Sequence, residues 1–302
     1  MVTDLYSIFA SALHTDPRQA VSLARVNGFA GVMFDAYATA LSLPDLSQSG
    51  RREFRHVLSS VDRTLSGLRT DCGRQGLSIG ADVDRVVSRL DRAMETAVGL
   101  GAPLVCVDLG PLPEPPRPVK PKSKVTPGMA GLILLPNLPD PDPAPAPSDV
   151  APMDPAFVSQ VDGVMLEVGR LADRYGCVVA LSSELSTLGA LHRVLSSAGC
   201  PWFGVDLDPV ALLRDTMSKH DAFTALGPSV RHVRVRDAVR GTDHRTRATV
   251  VGSGDTNWSE LTALLDDAGY HGWFTLDPLA LTDRANGARE GLNHLKHARA
   301  RR

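Results

Sequence analysis

The chain has 302 residues, 43% of them hydrophobic and 22% charged, with a formal net charge of -2. That length can bury a large core, as one barrel domain or as two smaller domains. The near-neutral charge excludes a global attraction to nucleic acid or an anionic membrane, because such proteins carry a clear basic excess; any anion binding must be local.

The strand candidates, in chain order, are Leu5 to Phe9, Gly31 to Tyr37, Leu77 to Asp82, Pro103 to Gly110, Cys177 to Glu184, Trp202 to Asp208, Val230 to Asp237 and Gly272 to Asp277. Between them lie stretches such as AVSLARVNG, RLDRAMETAVGLG and WSELTALLDDAGY, whose apolar residues recur at spacings of three and four and predict helices. Gly28, Gly76, Gly101, Gly176 and Gly199 read as helix stops, since glycine takes the left-handed conformation without steric penalty. Eight strand-helix units with near-continuous apolar strands predict an α/β fold, a (β/α)8 TIM barrel formed by the whole chain.

One segment breaks the rhythm. Residues 111–155 contain 15 of the 22 prolines, with Lys120, Lys122 and Lys124 and the apolar island GLILLPN. Proline at that density builds neither helix nor inner strand, so the stretch reads as an insertion after the fourth strand, a lid over the barrel mouth or a solvated linker. The four cysteines are far apart and form no C-x-x-C pair, which reads as buried reduced thiols. The stretch MVTDLYSIFASALHTD has neither a basic region nor a long apolar core, and no run nears the roughly 20 residues of a membrane span, so a cytoplasmic protein is expected.

The motifs DPRQAVSLARVNGFAGVMFD, LDRAMETAVGLGAPLVCVDLG, FGVDLDP, VRHVRVRD, GSGDTNW and AGYHGWFTLD, in this order and spacing, resemble the sugar phosphate isomerase/epimerase family, the xylose isomerase-like TIM barrels. The resemblance implies one divalent metal (Mn, Mg, Co or Zn) held by a Glu, an Asp, a His and a second Glu at four strand ends. It implies proton abstraction beside a carbonyl, and pairing of barrels as homodimers. Nine scattered histidines argue against the three-metal site of endonuclease IV, which shares this barrel.

Residue by residue, the resemblance puts Ser182 at the first Glu, with Glu184 two residues on and therefore on the same strand face. Asp208 matches the Asp, and Ala211 stands where a histidine often follows it. In VRHVRVRD, His232 matches the first histidine of H-x-H-x-K-D, Arg234 replaces the second and Arg236 replaces the lysine; Asp277 takes the place of the closing Glu. The expected metal set is Asp208, His232, Glu184 and Asp277, with Glu184 and Asp277 also the acid/base candidates. A guanidinium cannot ligate, having no lone pair to give, so Arg234 pointing into this site would disfavour a cation beside it.

Candidate substrate contacts are His14 after the first strand, Asp35 and Asp108 at strand tips, and Arg234, Arg236 and Arg240 in a basic seventh loop that also carries His244, Arg245 and Arg247. Asp82 reads as the tip of the third strand. Arginine clusters suit phosphate or carboxylate, and carboxyls crowded together serve as acid or base. Two functions remain open: an isomerase or epimerase of a small sugar or sugar phosphate, and a barrel that binds an anionic small molecule or a protein partner without turnover. The expected partner is a small anionic or sugar-like molecule, with neither nucleic acid nor membrane.

Overall fold

The computed structural model describes residues 5–300 apart from 74, 103, 115–152, 183, 216 and 242–244. The first half runs β1 (Tyr6–Phe9), α1 (Ala10–Leu13), α2 (Pro17–Val26), β2 (Gly31–Asp35), α3 (Gln48–Ser60), β3 (Thr64–Asp71), α4 (Val83–Leu100) and β4 (Leu104–Asp108). The middle runs α5 (Pro155–Tyr175), β5 (Val178–Ser182), α6 (Leu188–Ala198), β6 (Phe203–Leu207), α7 (Pro209–Arg214), α8 (Lys219–Leu226) and β7 (Val230–Val235). The chain ends with β8 (Asp237–Arg240), β9 (Thr246–Thr249), α9 (Trp258–Asp267), β10 (Phe274–Leu276) and α10 (Arg284–Ala300). Eight parallel strands close in the order β1, β10, β7, β6, β5, β4, β3, β2, which is the expected (β/α)8 barrel.

The sequence reasons for the elements are local. Asp16, Asp82, Asp154, Thr187, Asp208 and Asn257 each cap a helix N-terminus by accepting backbone N–H groups that the first turn leaves unpaired. Gly101, Gly176 and Gly199 end α4, α5 and α6 in the left-handed conformation. α4 buries Val86, Leu90, Ala93, Met94, Ala97 and Leu100 at spacings of three and four, and each large apolar side chain so buried contributes about 1.5–3 kcal/mol. Within the barrel, Phe9, Met33, Leu104, Cys106 and Ala180 form a separate apolar cluster below the mouth.

The third strand departs from the expectation. It is Thr64–Asp71, and the stretch Leu77 to Asp82 is a loop whose last residue caps α4. TLSGLRTD looks too polar for an inner strand, yet its Ser66 and Thr70 are buried. Gly67 leaves room for the Met33 side chain, which a Cβ there would meet at 2.9 Å. Gly76 is likewise no helix stop, but lies against the Leu109 carbonyl of the next loop, 2.5 Å from where its Cβ would sit.

The proline-rich stretch lies between β4 and α5, and GLILLPN with Lys120, Lys122 and Lys124 falls outside the described residues, as does His244. Cys72, Cys106 and Cys177 are buried free thiols; burial pushes Cys72 and Cys177 up to about 12, where a thiol is unreactive. Among the described residues no helix is long and apolar enough to cross a membrane.

Candidate active site

Strand alternation decides which side chains meet at the C-terminal mouth, the end where this architecture assembles its sites. Asp35 ends β2, Asp108 ends β4, and Asp208 and Asp277 directly follow β6 and β10, so four carboxyls sit at strand tips. Glu184 follows β5 by two residues, and its backbone N–H donates to Ser182 Oγ at 3.2 Å. Arg234 and Arg236 project from β7 and its end, and Arg69 projects from β3.

These groups form a chain of alternating charge. Arg234 Nε donates to Asp277 Oδ2 at 2.6 Å, and its Nη2 lies 2.5 Å from the same oxygen. Its Nη1 donates to Glu184 Oε2. Arg236 Nη1 donates to Glu184 Oε1 at 3.0 Å, while its Nε donates to Asp208 Oδ2 at 2.9 Å. Arg69 approaches Glu184 at 3.5 Å, and the Arg69 and Arg234 guanidiniums both lie over the Phe9 ring, at 5.4 and 5.8 Å from its centroid. The path therefore reads Asp277, Arg234, Glu184, Arg236, Asp208.

Burial would raise the Glu184 carboxyl, but Arg234, Arg236 and Arg69 outweigh it and hold the group at about 2. Burial alone would lower Arg234; the carboxylates around it win, and it stays protonated well above the usual arginine range. Asp35 and Asp108 differ. Burial raises both, against Arg69 for Asp35 and against the Gly110 N–H for Asp108. Among the described residues neither forms an ion pair: Asp35 accepts from Ser11 Oγ at 3.4 Å, and Asp108 accepts from Gly110 N at 3.0 Å.

One layer deeper, β6, β7, β10 and β1 carry a fully buried relay. His232 Nδ1 pairs with Asp206 Oδ1 at 2.6 Å, His232 Nε2 with Thr275 Oγ1 at 2.6 Å, and Thr275 Oγ1 with Ser7 Oγ at 2.6 Å. Burial would raise Asp206, but His232 and Arg234 overcome it and lower the carboxyl. His232 thus serves the interior, and the expected set of Asp208, His232, Glu184 and Asp277 does not converge on one point. Arg234 stands between Glu184 and Asp277, so these donors do not fit a divalent cation. Cys106, Asp206 and His232 bring three donor atoms within 4.8 Å of one another. This trio fits a metal poorly too, because both ring nitrogens of His232 are engaged and burial pushes the Cys106 thiol up, whereas a ligating thiol must be ionised.

Above the mouth, the basic seventh loop forms the antiparallel hairpin β8–β9, with Ala238 opposite Ala248 and Arg240 opposite Thr246. Asp237 starts it. Its carboxylate accepts the backbone N–H groups of Ala238, Gly252, Gly254 and Thr256 and the Trp258 indole N–H, tying the hairpin to the GSGD loop. Gly254 has to be glycine, since a Cβ there would lie 2.2 Å from Asp237 Oδ1. The hairpin, Arg214, Leu279 and Leu281 enclose a cavity of about 420 Å³ whose floor is Glu184, Arg234, Arg236 and Asp277.

The structure thus brings Glu184, Asp208, Arg234, Arg236 and Asp277 together, with Asp35 and Asp108 nearby. His14 is apart from this group: its Nδ1 accepts the Asp16 N–H at 2.9 Å, a turn before α2. Arg240 is an exposed hairpin residue whose backbone N–H donates to Asp255 Oδ2 at 2.7 Å. The sequence pointed to neither Arg69, which lies on the misplaced third strand, nor Thr275, which lies within AGYHGWFTLD but matches no expected site position; the alternation of β10 inward from Asp277 would have flagged Thr275.

A closed parallel barrel with polar strand tips defines the class, and the chain belongs to the xylose isomerase-like TIM barrel family, whose model matches residues 21–298. Among solved structures it is similar to a xylose isomerase domain protein from Planctomyces limnophilus, at 15% identity, TM-score 0.68, and coverage of 98% of this chain and 96% of that one. It is also similar to D-psicose 3-epimerase with D-tagatose from Clostridium cellulolyticum H10 (14% identity, TM-score 0.70, 97% and 98% covered). A third is a xylose isomerase-like TIM barrel protein from Mycobacterium smegmatis in complex with magnesium (17%, TM-score 0.65, 93% and 88%). At these identities the likeness establishes the fold. No curated protein matches the chain.

Proposed function

We propose that this chain is an isomerase or epimerase of a small sugar-like carbonyl compound, working at the C-terminal mouth by proton transfer beside the carbonyl and without a divalent metal. The observation that carries this reading is the division of labour among the mouth carboxyls. Glu184, Asp208 and Asp277 are tied to arginines, whereas Asp35 and Asp108 make no ion pair among the described residues. General acid/base work favours a carboxyl whose pKa is raised toward the working pH, and burial acts in that direction on these two. In this reading one of them accepts the proton from the carbon beside the carbonyl and the other returns it. The side chains of Arg69 and Arg236, 22% and 20% exposed, offer N–H groups to the oxyanion that forms, while Arg234 at 5% does not reach out. The likeness in fold to an epimerase described with D-tagatose supports the choice of ligand class.

The test is exchange of carbon-bound hydrogen with solvent deuterium, followed by NMR, across aldoses, ketoses and their phosphates in metal-chelated buffer. Exchange on at least one compound is expected, with Asp35→Asn and Asp108→Asn each slowing it about 10²–10⁴-fold. Absence of exchange on every compound in chelated buffer would sink the reading, and exchange that appears only with added Mn²⁺ would overturn its metal-free part. A second reading, binding without turnover, is favoured by the saturation of Glu184 by three guanidiniums. It predicts ligand-detected NMR binding of a sugar or sugar acid with no deuterium uptake.

A further inference from the structure

Glu184 and Asp277 reach the mouth from the ends of β5 and β10, and two carboxylates drawn toward one point in a water-poor site repel each other unless a cation lies between them. Here the cation is a side chain. Arg234 touches both, with its Nε and Nη2 on Asp277 and its Nη1 on Glu184. Its backbone is fixed in the barrel wall, where it pairs in register with Thr275. With its side chain 5% exposed, it is spent on these carboxylates and not held out to a ligand. Arg236 extends the same neutralisation to Asp208.

We infer that Arg234 is a tethered replacement for a divalent cation, and that Glu184 and Asp277 become a cation site once its guanidinium is removed. A guanidinium differs from a bound ion in two ways that matter. It cannot dissociate, so the mouth keeps its charge balance whatever the metal supply. It also has no acidic water to offer, so the mouth gains a structural cation and forgoes a metal-bound nucleophile. The carboxylate oxygens that now accept N–H groups are hard donors of the kind Mn²⁺ and Mg²⁺ take, and an imidazole grafted at this position adds a borderline nitrogen donor. The Cys106, Asp206 and His232 layer lies deeper and keeps its own hydrogen bonds, so it does not compete for the ion.

The probe is Mn²⁺ alone, added to the full chain after chelator treatment, with free ion read by electron paramagnetic resonance and unfolding followed by circular dichroism. The wild type is expected to release no bound metal, to bind no Mn²⁺ saturably and to unfold at the same temperature in chelator and in Mn²⁺. R234A is expected to lose roughly 10 °C in chelator and to recover at least half of that in Mn²⁺. R234H is expected to bind one Mn²⁺ per chain at least about 100-fold more tightly than the wild type, by restoring one strong ligand. R234K, which keeps the charge, is expected to bind none. If R234H fails to fold in chelator, refolding yield is read instead: recovery on adding Mn²⁺ supports the assignment, and no recovery overturns it. Saturable Mn²⁺ binding to the wild type that E184Q or D277N abolishes overturns it, as do R234A and R234H that fold and bind nothing. None of these readouts is turnover, so failure here leaves the isomerase reading to its own test.

Discussion

Asp237 shows how much one side chain can organise at the residue scale. Its carboxylate satisfies four backbone N–H groups and the Trp258 indole from a position that is 1% exposed. Asp237→Ala would leave those donors buried without partners, at about 1–3 kcal/mol for each that finds no water. A loss of more than about 3 kcal/mol in urea unfolding is expected; a loss under about 1 kcal/mol would mean that water replaces the carboxylate. The sequence showed this aspartate only as the end of the seventh strand candidate, because four of its five hydrogen bonds come from residues 15 to 21 positions away that fold back through the GSGD turn. His232 was expected as a metal ligand, and its actual use was not legible: the partners Asp206 and Thr275 arrive from two other strands.

At the element scale, alternation and helical spacing located seven of the eight barrel strands, and the third was displaced. β3 buries Ser66, Gly67 and Thr70, a composition that reads as loop, while LSIGAD reads as strand because apolar Leu77 and Ile79 alternate with Ser78 and Gly80. The loop after β3 is held by the approach of Gly76 to Leu109 and Gly110. Gly76 adopts φ 54°, so Gly76→Ala combines left-handed strain with a Cβ 2.5 Å from a carbonyl oxygen. The expected cost is at least about 2 kcal/mol, or some 4–8 °C in unfolding temperature by circular dichroism; an unchanged melt would mean that the loop moves freely away from Leu109. The hairpin β8–β9 was likewise hidden in a charged loop, since DAVR and TRAT are only four residues each.

For the whole molecule, the mouth couples stability to pH. Glu184 titrates at about 2 in the folded chain and at about 4.3 when unfolded, so its folded pKa is depressed. Its contribution is complete above about pH 4.5 and is lost as the pH falls from there through about 2. Asp35 and Asp108 act with the opposite sign: their folded pKa values are raised, so their contribution is complete below the unfolded value and fades as pH rises through the folded one. The groups facing Asp35 are Ser11, Arg69, Arg234 and Asp277, and those facing Asp108 are Arg69, Arg234 and Glu184. Unfolding temperature is expected to fall steeply between about pH 4.5 and 2, and Glu184→Gln is expected to flatten that slope even though it weakens the protein; an unchanged slope would assign the acid transition to other carboxyls.

The amino-acid sequence by itself determined that this is an eight-unit barrel with carboxyls and arginines at its strand tips, because strand and helix periodicity, caps and glycine stops are local properties of the chain. It also flagged Arg234 as the residue on which the metal question turns. Only the tertiary structure decided that Arg234 lies between Glu184 and Asp277, that His232 turns to Asp206 and Thr275, and that Arg69 joins the mouth from an unrecognised strand. Those outcomes depend on which side chains from distant strands share one small, poorly hydrated space. There charge balance across the closed barrel, and not the spacing of residues along the chain, selects the partners.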